Sequence, residues 1–206
     1  MRLFQLVILF LLLSARVAIA QGAEEYFVFV GEKISLEDIG HHDYGFMWDS
    51  AFAAKYRILE PFKGAYDESE IEFTVYDHYG TPAFSKYNHV LLYVERHNGR
   101  WYHSKYLYTA LYRTVDGKWA GPYQTYDYTH EYNKNTKIRP EIIEFAEPVS
   151  FDVSNIDQKS IERWYPEPYY RVENGKAIAV YGNYLEELFL LKQRGVLKAR
   201  GDFQSF

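Results

Sequence analysis

Seven histidines, 28 carboxylates and no cysteine are the residues from which this chain must build any chemistry. His41-His42-Asp43 sets two imidazoles beside a carboxylate, and Asp77-His78 and His89 bracket a segment containing Gly80 and Pro82. A zinc ion needs three or four ligands converging at about 2 Å. Adjacent histidines do not readily face one metal, and no pair has the H-x-x-x-H spacing of a helix face. The sequence therefore predicts no metal site. Nucleophilic catalysis lacks a cysteine and the G-x-S-x-G elbow. Ser85 lies near His78 and His89 in sequence, but nothing sets a base and an orienting acid around it. Two carboxylates across a cleft would suit glycoside hydrolysis. Asp43 and Asp77 are candidates, as some pair is in any chain this rich in acids. Gly31-Glu32-Lys33 is not a full phosphate-binding loop. No catalytic residue and no cofactor are predicted.

Binding residues are easier to nominate. The segment from 78 to 89 joins two strong strand patterns and carries His78, Tyr79, Lys86, Tyr87 and His89. Function concentrates on loops held by a rigid scaffold. The plainer expectation is a turn made by Gly80 and Pro82 and stapled to the core by Phe84. A second candidate surface is Trp101 with Tyr102, Tyr106, Tyr108 and Tyr112. These four tyrosines share even parity, so a regular strand would place them on one sheet face. Such a row suits a sugar or a partner protein, or equally the inside of a barrel.

The elements that must carry these residues are mostly strands. Tyr26–Ile34 is apolar and β-branched. Ala51–Leu59 alternates, with Phe52, Ala54, Tyr56 and Ile58 on one face, and Pro61 is expected to stop it. Glu70–Asp77 alternates with Ile71, Phe73 and Val75 inward. His89–Glu95 and a long or bent strand over Trp101–Thr114 flank Asn98-Gly99, a hairpin signal because both positions need positive φ. Residues 37–50 read as a loop, and 121–141 as a polar and aromatic surface excursion without clean period. Ile142–Phe145 and Val149–Val153 are short extended segments, Ser154–Trp164 has room for a short helix, and Tyr169–Val180 is a hairpin around Asn174-Gly175. A C-terminal helix follows. Asn183 and Glu186 match a capping box, Leu185, Leu188, Phe189 and Lys192 share a face, and Gly195 is the expected stop. The fold class predicted is mainly β, an OB-like barrel over 26–120, with a C-terminal α/β extension over 121–206 holding the hairpin and one clear helix.

Arg2, the apolar run Leu3–Leu13 and Ala18-Ile19-Ala20 read as a signal peptide over residues 1–20, cleaved to leave a single domain over 21–206. The uncharged run ends at Arg16, short of the roughly 20 residues that span a bilayer, and no second such run follows, so no stable membrane insertion is expected. Losing Arg2 and Arg16 takes the net charge from −5 to −7, which argues against nucleic acid. The absence of cysteine excludes a disulfide framework. With no N-x-S/T sequon, it points to a periplasmic or secreted bacterial location. Aromatics make up 19% of the chain, 21 of them tyrosine, which suits strands and half-wet surfaces.

The run Phe27-Val28-Phe29-Val30-Gly31, the strand from Phe52 through Glu60-Pro61-Phe62-Lys63-Gly64, the strand Glu70–Asp77 and Leu91-Leu92-Tyr93-Val94 together resemble, over residues 26–120, the OB-fold barrel of netrin-like domains and tissue inhibitors of metalloproteinases. The resemblance implies the barrel and a leaning toward protein–protein contact. It does not extend to zinc chelation by an N-terminal cysteine, since this chain has none and its expected N-terminal Gln21 can cyclise and lose its amine.

The expected function is thus that of an exported, soluble, non-catalytic binding or protein-interaction module, its partner another envelope or secreted protein or a glycan. The alternatives are an envelope-polymer hydrolase using Asp77, His78 and His89, and a purely structural envelope protein.

Overall fold

A computed structural model describes residues 25–43 and 48–201. The expected signal peptide, residues 1–20, and Gln21 lie outside the described residues, as do the side chains of His41, His42 and Asp43. Five strands close into a barrel: β1 (Glu25–Asp43), β2 (Trp48–Lys63), β3 (Glu70–Asp77), β4 (His89–His97) and β5 (Arg100–Ala110). Their order around the barrel is β1-β2-β3-β5-β4 and back to β1. Every neighbouring pair is antiparallel except β3 and β5, which meet in parallel at Thr74 and Tyr102. This is the OB-like, mainly β architecture expected.

The barrel interior is filled by Phe27, Phe29, Phe52, Ala54, Tyr56, Ile71, Phe73, Val75, Val90, Leu92, Val94 and Trp101, with Phe84 plugging one end. The alternating strands put the residues expected inward into this core. β1 and β4 instead read as unbroken apolar runs because both their faces are covered. Val28, Val30, Leu91 and Tyr93 point outward and pack under Leu185, Leu188 and Phe189 of the C-terminal helix.

Two small sheets complete the chain. One is ordered β6 (Tyr112–Arg113), β7 (Trp119–Pro122), β12 (Tyr181–Tyr184), β8 (Glu141–Ile142). The other is ordered β10 (Tyr170–Glu173), β11 (Lys176–Ala179), β9 (Ser150–Asp152). Two short helices, α1 (Thr125–Thr129) and α2 (Gln158–Trp164), flank them. The helix α3 opens as Leu185–Lys192, passes through a π turn at Gln193–Leu197 and ends at Lys198–Arg200.

Several local expectations are corrected. Residues 37–43 and 48–50 are strand, because β1 and β2 stay paired from Leu36 opposite Ala54 out to Asp43 opposite Trp48. Pro61 does not stop β2. It lies opposite Phe29, beyond Arg57, where pairing with β3 ends, so its missing N–H breaks no ladder on that side. The 121–141 segment is not wholly superficial, since Tyr123, Asp127, Asn133 and Ile138 are buried. Asn133 donates to Leu191 O at 2.9 Å, and Lys192 pairs with Asp127 at 2.7 Å. Asn183 caps nothing. It sits in β12 and takes the Tyr128 hydroxyl at 2.7 Å while donating to Glu187 at 3.0 Å. Gly195 lies buried inside the π turn, where a Cβ would come 2.9 Å from Asn133 Nδ2. The helix ends instead at Gly201, whose φ is +78°.

The tyrosine row is broken by a bulge. Leu92 pairs with Tyr108 and Val94 with His103, so Tyr93 alone faces residues 104–107. Three extra residues invert the parity of the strand. Trp101 and His103 point inward before the bulge, and Tyr108 points inward after it, against Phe84. Leu107 joins the outer core under α3. Tyr106 carries the turn at φ +64°, a left-handed conformation unfavourable for a bulky residue.

His103 closes the bulge, its Nε2–H donating to Leu107 O at 2.9 Å. Burial pushes its pKa down from 6.5 to about 4. The folded state therefore holds a neutral imidazole that the unfolded chain protonates first. Stability is full above about pH 6.5 and falls as pH drops toward about 4, by ~1.4 kcal/mol per unit. Urea unfolding at pH 7 and pH 5 should show this loss in the wild type and a smaller one in His103→Gln. An equal loss in both would reject the assignment.

Candidate functional site

Phe84 starts the construction of a cleft beside the barrel. It is 1% exposed and packs against Tyr56, Phe73, His103 and Tyr108. The 3-10 turn Ala83–Lys86 is held by Ser85 N and Tyr87 N donating to Pro82 O and Phe84 O. Lys33 then ties the exit from this turn to β1, with its N donating to Asn88 O at 3.1 Å and its Nζ to Ser85 O at 2.8 Å. Residues 86–89 thus form a fixed wall. Leu111, Tyr112 and Arg113 make the floor, and Ala146, Glu147, Ser150 and Phe151 make the facing wall. The cleft between them, at the junction of barrel and extension, has a volume of about 640 Å³.

Its chemistry is aromatic with a cationic bias. Lys86 and Arg113 are exposed, while Tyr87, His89, Tyr112 and Phe151 are half-buried. Arg113 lies 3.6 Å over the Trp119 ring and donates Nη1–H to Gly117 O at 2.5 Å, which together fix its guanidinium at the cleft rim. The one carboxylate among the lining residues is Glu147. Burial raises the Tyr112 phenol to about 12, helped by the Tyr87 and Tyr108 phenols. Burial does the same to Tyr108, with Tyr87 and Asp77 adding to it. Burial also raises Tyr87. At neutral pH these hydroxyls are protonated, so each can donate and accept a hydrogen bond.

The other nominated residues gather elsewhere. The bulge of β5 brings Lys105 to the buried Asp49 at 2.5 Å, and His78 Nδ1 lies 3.4 Å from the same carboxylate. The Tyr79 ring lies tilted against Tyr106 at 5.7 Å between ring centres, and its N–H is held by Asp77 Oδ1 at 2.8 Å. Tyr102 lies against Tyr76 and His97. Lys86, Tyr87, His89 and Tyr112 therefore share the cleft, with Tyr108 behind Tyr87 at 6.0 Å. His78, Tyr79 and Tyr106 form a separate aromatic and charged patch.

Asp77, His78 and His89 have different partners. Asp77 caps the turn at Tyr79, His78 approaches Asp49, and His89 lies 4.0 Å from Glu32 with its ring against Trp119. Among the described residues no group of three His, Cys, Asp or Glu is placed to hold a metal ion. Asn88, Arg113, Glu147, Ser150 and Phe151 were not nominated from sequence. The polar ones carry no motif, and only the fold brings 146–151 to face 86–89. Asp49 was missed because its segment reads as loop.

No family model matches the chain, and neither a curated protein nor a solved structure does.

The left-handed Tyr106 gives a local test. Tyr106→Gly relieves the unfavourable φ, offsetting the lost ring, and should cost less than about 1 kcal/mol. Tyr108→Gly, which empties a place beside Phe84, should cost about 3 kcal/mol or more. Equal losses in thermal or urea unfolding would reject the strain at Tyr106.

Proposed function

We propose that this chain is an exported, non-catalytic binding module that holds part of a partner macromolecule in the cleft between its barrel and its extension. The observation that carries this reading is the cleft itself. Its volume of about 640 Å³ falls in the range of functional sites. Its walls combine aromatic faces, neutral phenols and two exposed cations. The residues nominated as catalytic in the hydrolase alternative have separate partners, which favours binding. Export rests on the three-zone N-terminus, and the netrin-like resemblance leans toward protein contact. Among the described residues no helix is long and apolar enough to cross a membrane.

Ala146 is an exposed wall residue, so Ala146→Trp fills the cleft without removing a buried contact. Affinity capture from envelope extract with residues 21–206 should recover a reproducible partner, and Ala146→Trp should lower its recovery by about tenfold or more. Equal recovery by both proteins, with unchanged circular dichroism, would remove the cleft as the binding site.

A further inference from the structure

We propose that the occupant of the cleft is an extended acidic peptide segment of a partner protein, which adds as a strand to the open edge of β9. The inference rests on the cleft being the binding site. In the sheet order β10-β11-β9, β9 is an edge strand. Its pairs with β11 are Ser150 with Ile178, Phe151 with Ala177 and Asp152 with Lys176. Val153 N donates to Gly175 O at 2.8 Å and Ala179 N to Val149 O at 2.9 Å, which marks the odd-numbered residues as the hydrogen-bonded pairs. By the alternation of an antiparallel ladder, Ser150 and Asp152 turn their N–H and C=O groups to the open side. Ser150 lies in the wall of the cleft, so its share of this edge borders the cavity.

An exposed edge of this kind is a template for a further strand. Main-chain bonds along it hold an extended peptide, and alternate side chains find pockets on either side. Here those pockets are aromatic: Tyr87 and Tyr112 across the cleft, and Phe151 beside the edge. The Asp152 carboxylate is turned away, accepting from Ser154 N at 2.9 Å and Ser154 Oγ at 2.6 Å. Lys86 has no carboxylate partner among the described residues, and it shares the rim with Arg113, whose Nη1 is held by Gly117 O at 2.5 Å. These two cations outnumber the one lining carboxylate, Glu147, so an acidic side chain complements the rim. A glycan can meet the aromatic faces, the cations and single edge groups, but an extended peptide alone repeats N–H and C=O at the spacing of a strand edge, so the peptide is favoured.

The test uses residues 21–206, with amide chemical shifts as readout. The probe is acetyl-Glu-Val-Glu-Val-Glu-Val-amide. It should titrate saturably with the largest shifts at Ser150 and its neighbours in β9. Of two copies N-methylated at alternate residues in opposite frames, one should lose about tenfold or more in affinity while the other keeps it. A Lys-for-Glu copy should also lose about tenfold or more. Ser150→Pro deletes an edge N–H that the β9–β11 ladder does not use, and should abolish the shifts. Equal binding by both N-methylated copies overturns the strand-addition proposal. If polygalacturonate shifts the cleft residues and the peptide does not, the site stands and the peptide inference falls. If neither probe shifts them, both fall.

Discussion

β1 and β4 pair from Glu25 opposite Arg96 to Glu32 opposite His89, and over the middle of this ladder both faces are out of water. Phe27, Phe29, Leu92 and Val94 fill the barrel, while Val28, Val30, Leu91 and Tyr93 lie under α3. Fully burying a side chain of this size contributes ~1.5–3 kcal/mol. Without α3 the outer four would be an exposed apolar strip on a barrel wall. Barrel and extension therefore share a buried apolar interface built on this pair of strands. The chain has no cysteine, so no disulfide adds to the peptide link between the two parts, and packing at this interface carries the arrangement.

The bulge in β5 is the second device that depends on this pairing. Tyr93 must stay under α3 while its neighbours Leu92 and Val94 stay inside the barrel, so β4 remains regular and β5 absorbs the irregularity. Inserting three residues sends Leu107 to the outer core, returns Tyr108 to the inner one and projects Lys105 and Tyr106 toward Asp49 and Tyr79. His103 stabilises the detour by closing it onto Leu107 O, at the cost of a buried ring nitrogen, Nδ1, without a partner. One local insertion thus relocates two tyrosines and creates a charged patch.

These two devices mark where the sequence is legible and where it is not. Period-two alternation in Ile71, Phe73 and Val75 reports a wall wet on one side, and Asn98-Gly99 and Asn174-Gly175 report turns through positive φ at both residues. Such signals are local and survive into the fold. Parity along 101–112 is local too, but it assumes a regular strand, and nothing in Ser104–Leu107 announces the insertion. Gly195 looks like a helix stop because glycine favours that role. Here its missing side chain instead admits Asn133 against the π turn. Asn183 looks like a cap for the same reason of type, and tertiary partners claim it. The cleft is half legible. Lys86, Tyr87 and His89 stand out on a loop between two strong strands, whereas Ala146–Phe151 is featureless until β11 and the barrel place it opposite them.

On the proposed reading, the edge of β9 must accept one peptide without inviting open-ended pairing. It is three residues long, and Glu147 and Pro148 precede it, a charge and a missing donor that discourage open-ended pairing. Two edge hydrogen bonds contribute only ~1–3 kcal/mol net. A micromolar complex requires about 8 kcal/mol. An occupant held by backbone pairing alone would therefore bind too weakly to matter. Tyr87, Tyr112 and Phe151 must supply most of the affinity through buried aromatic area, and Lys86 and Arg113 must supply the preference for charge. On this division of labour the backbone edge sets the direction and register of the peptide, and the side chains on the facing wall decide which peptide stays.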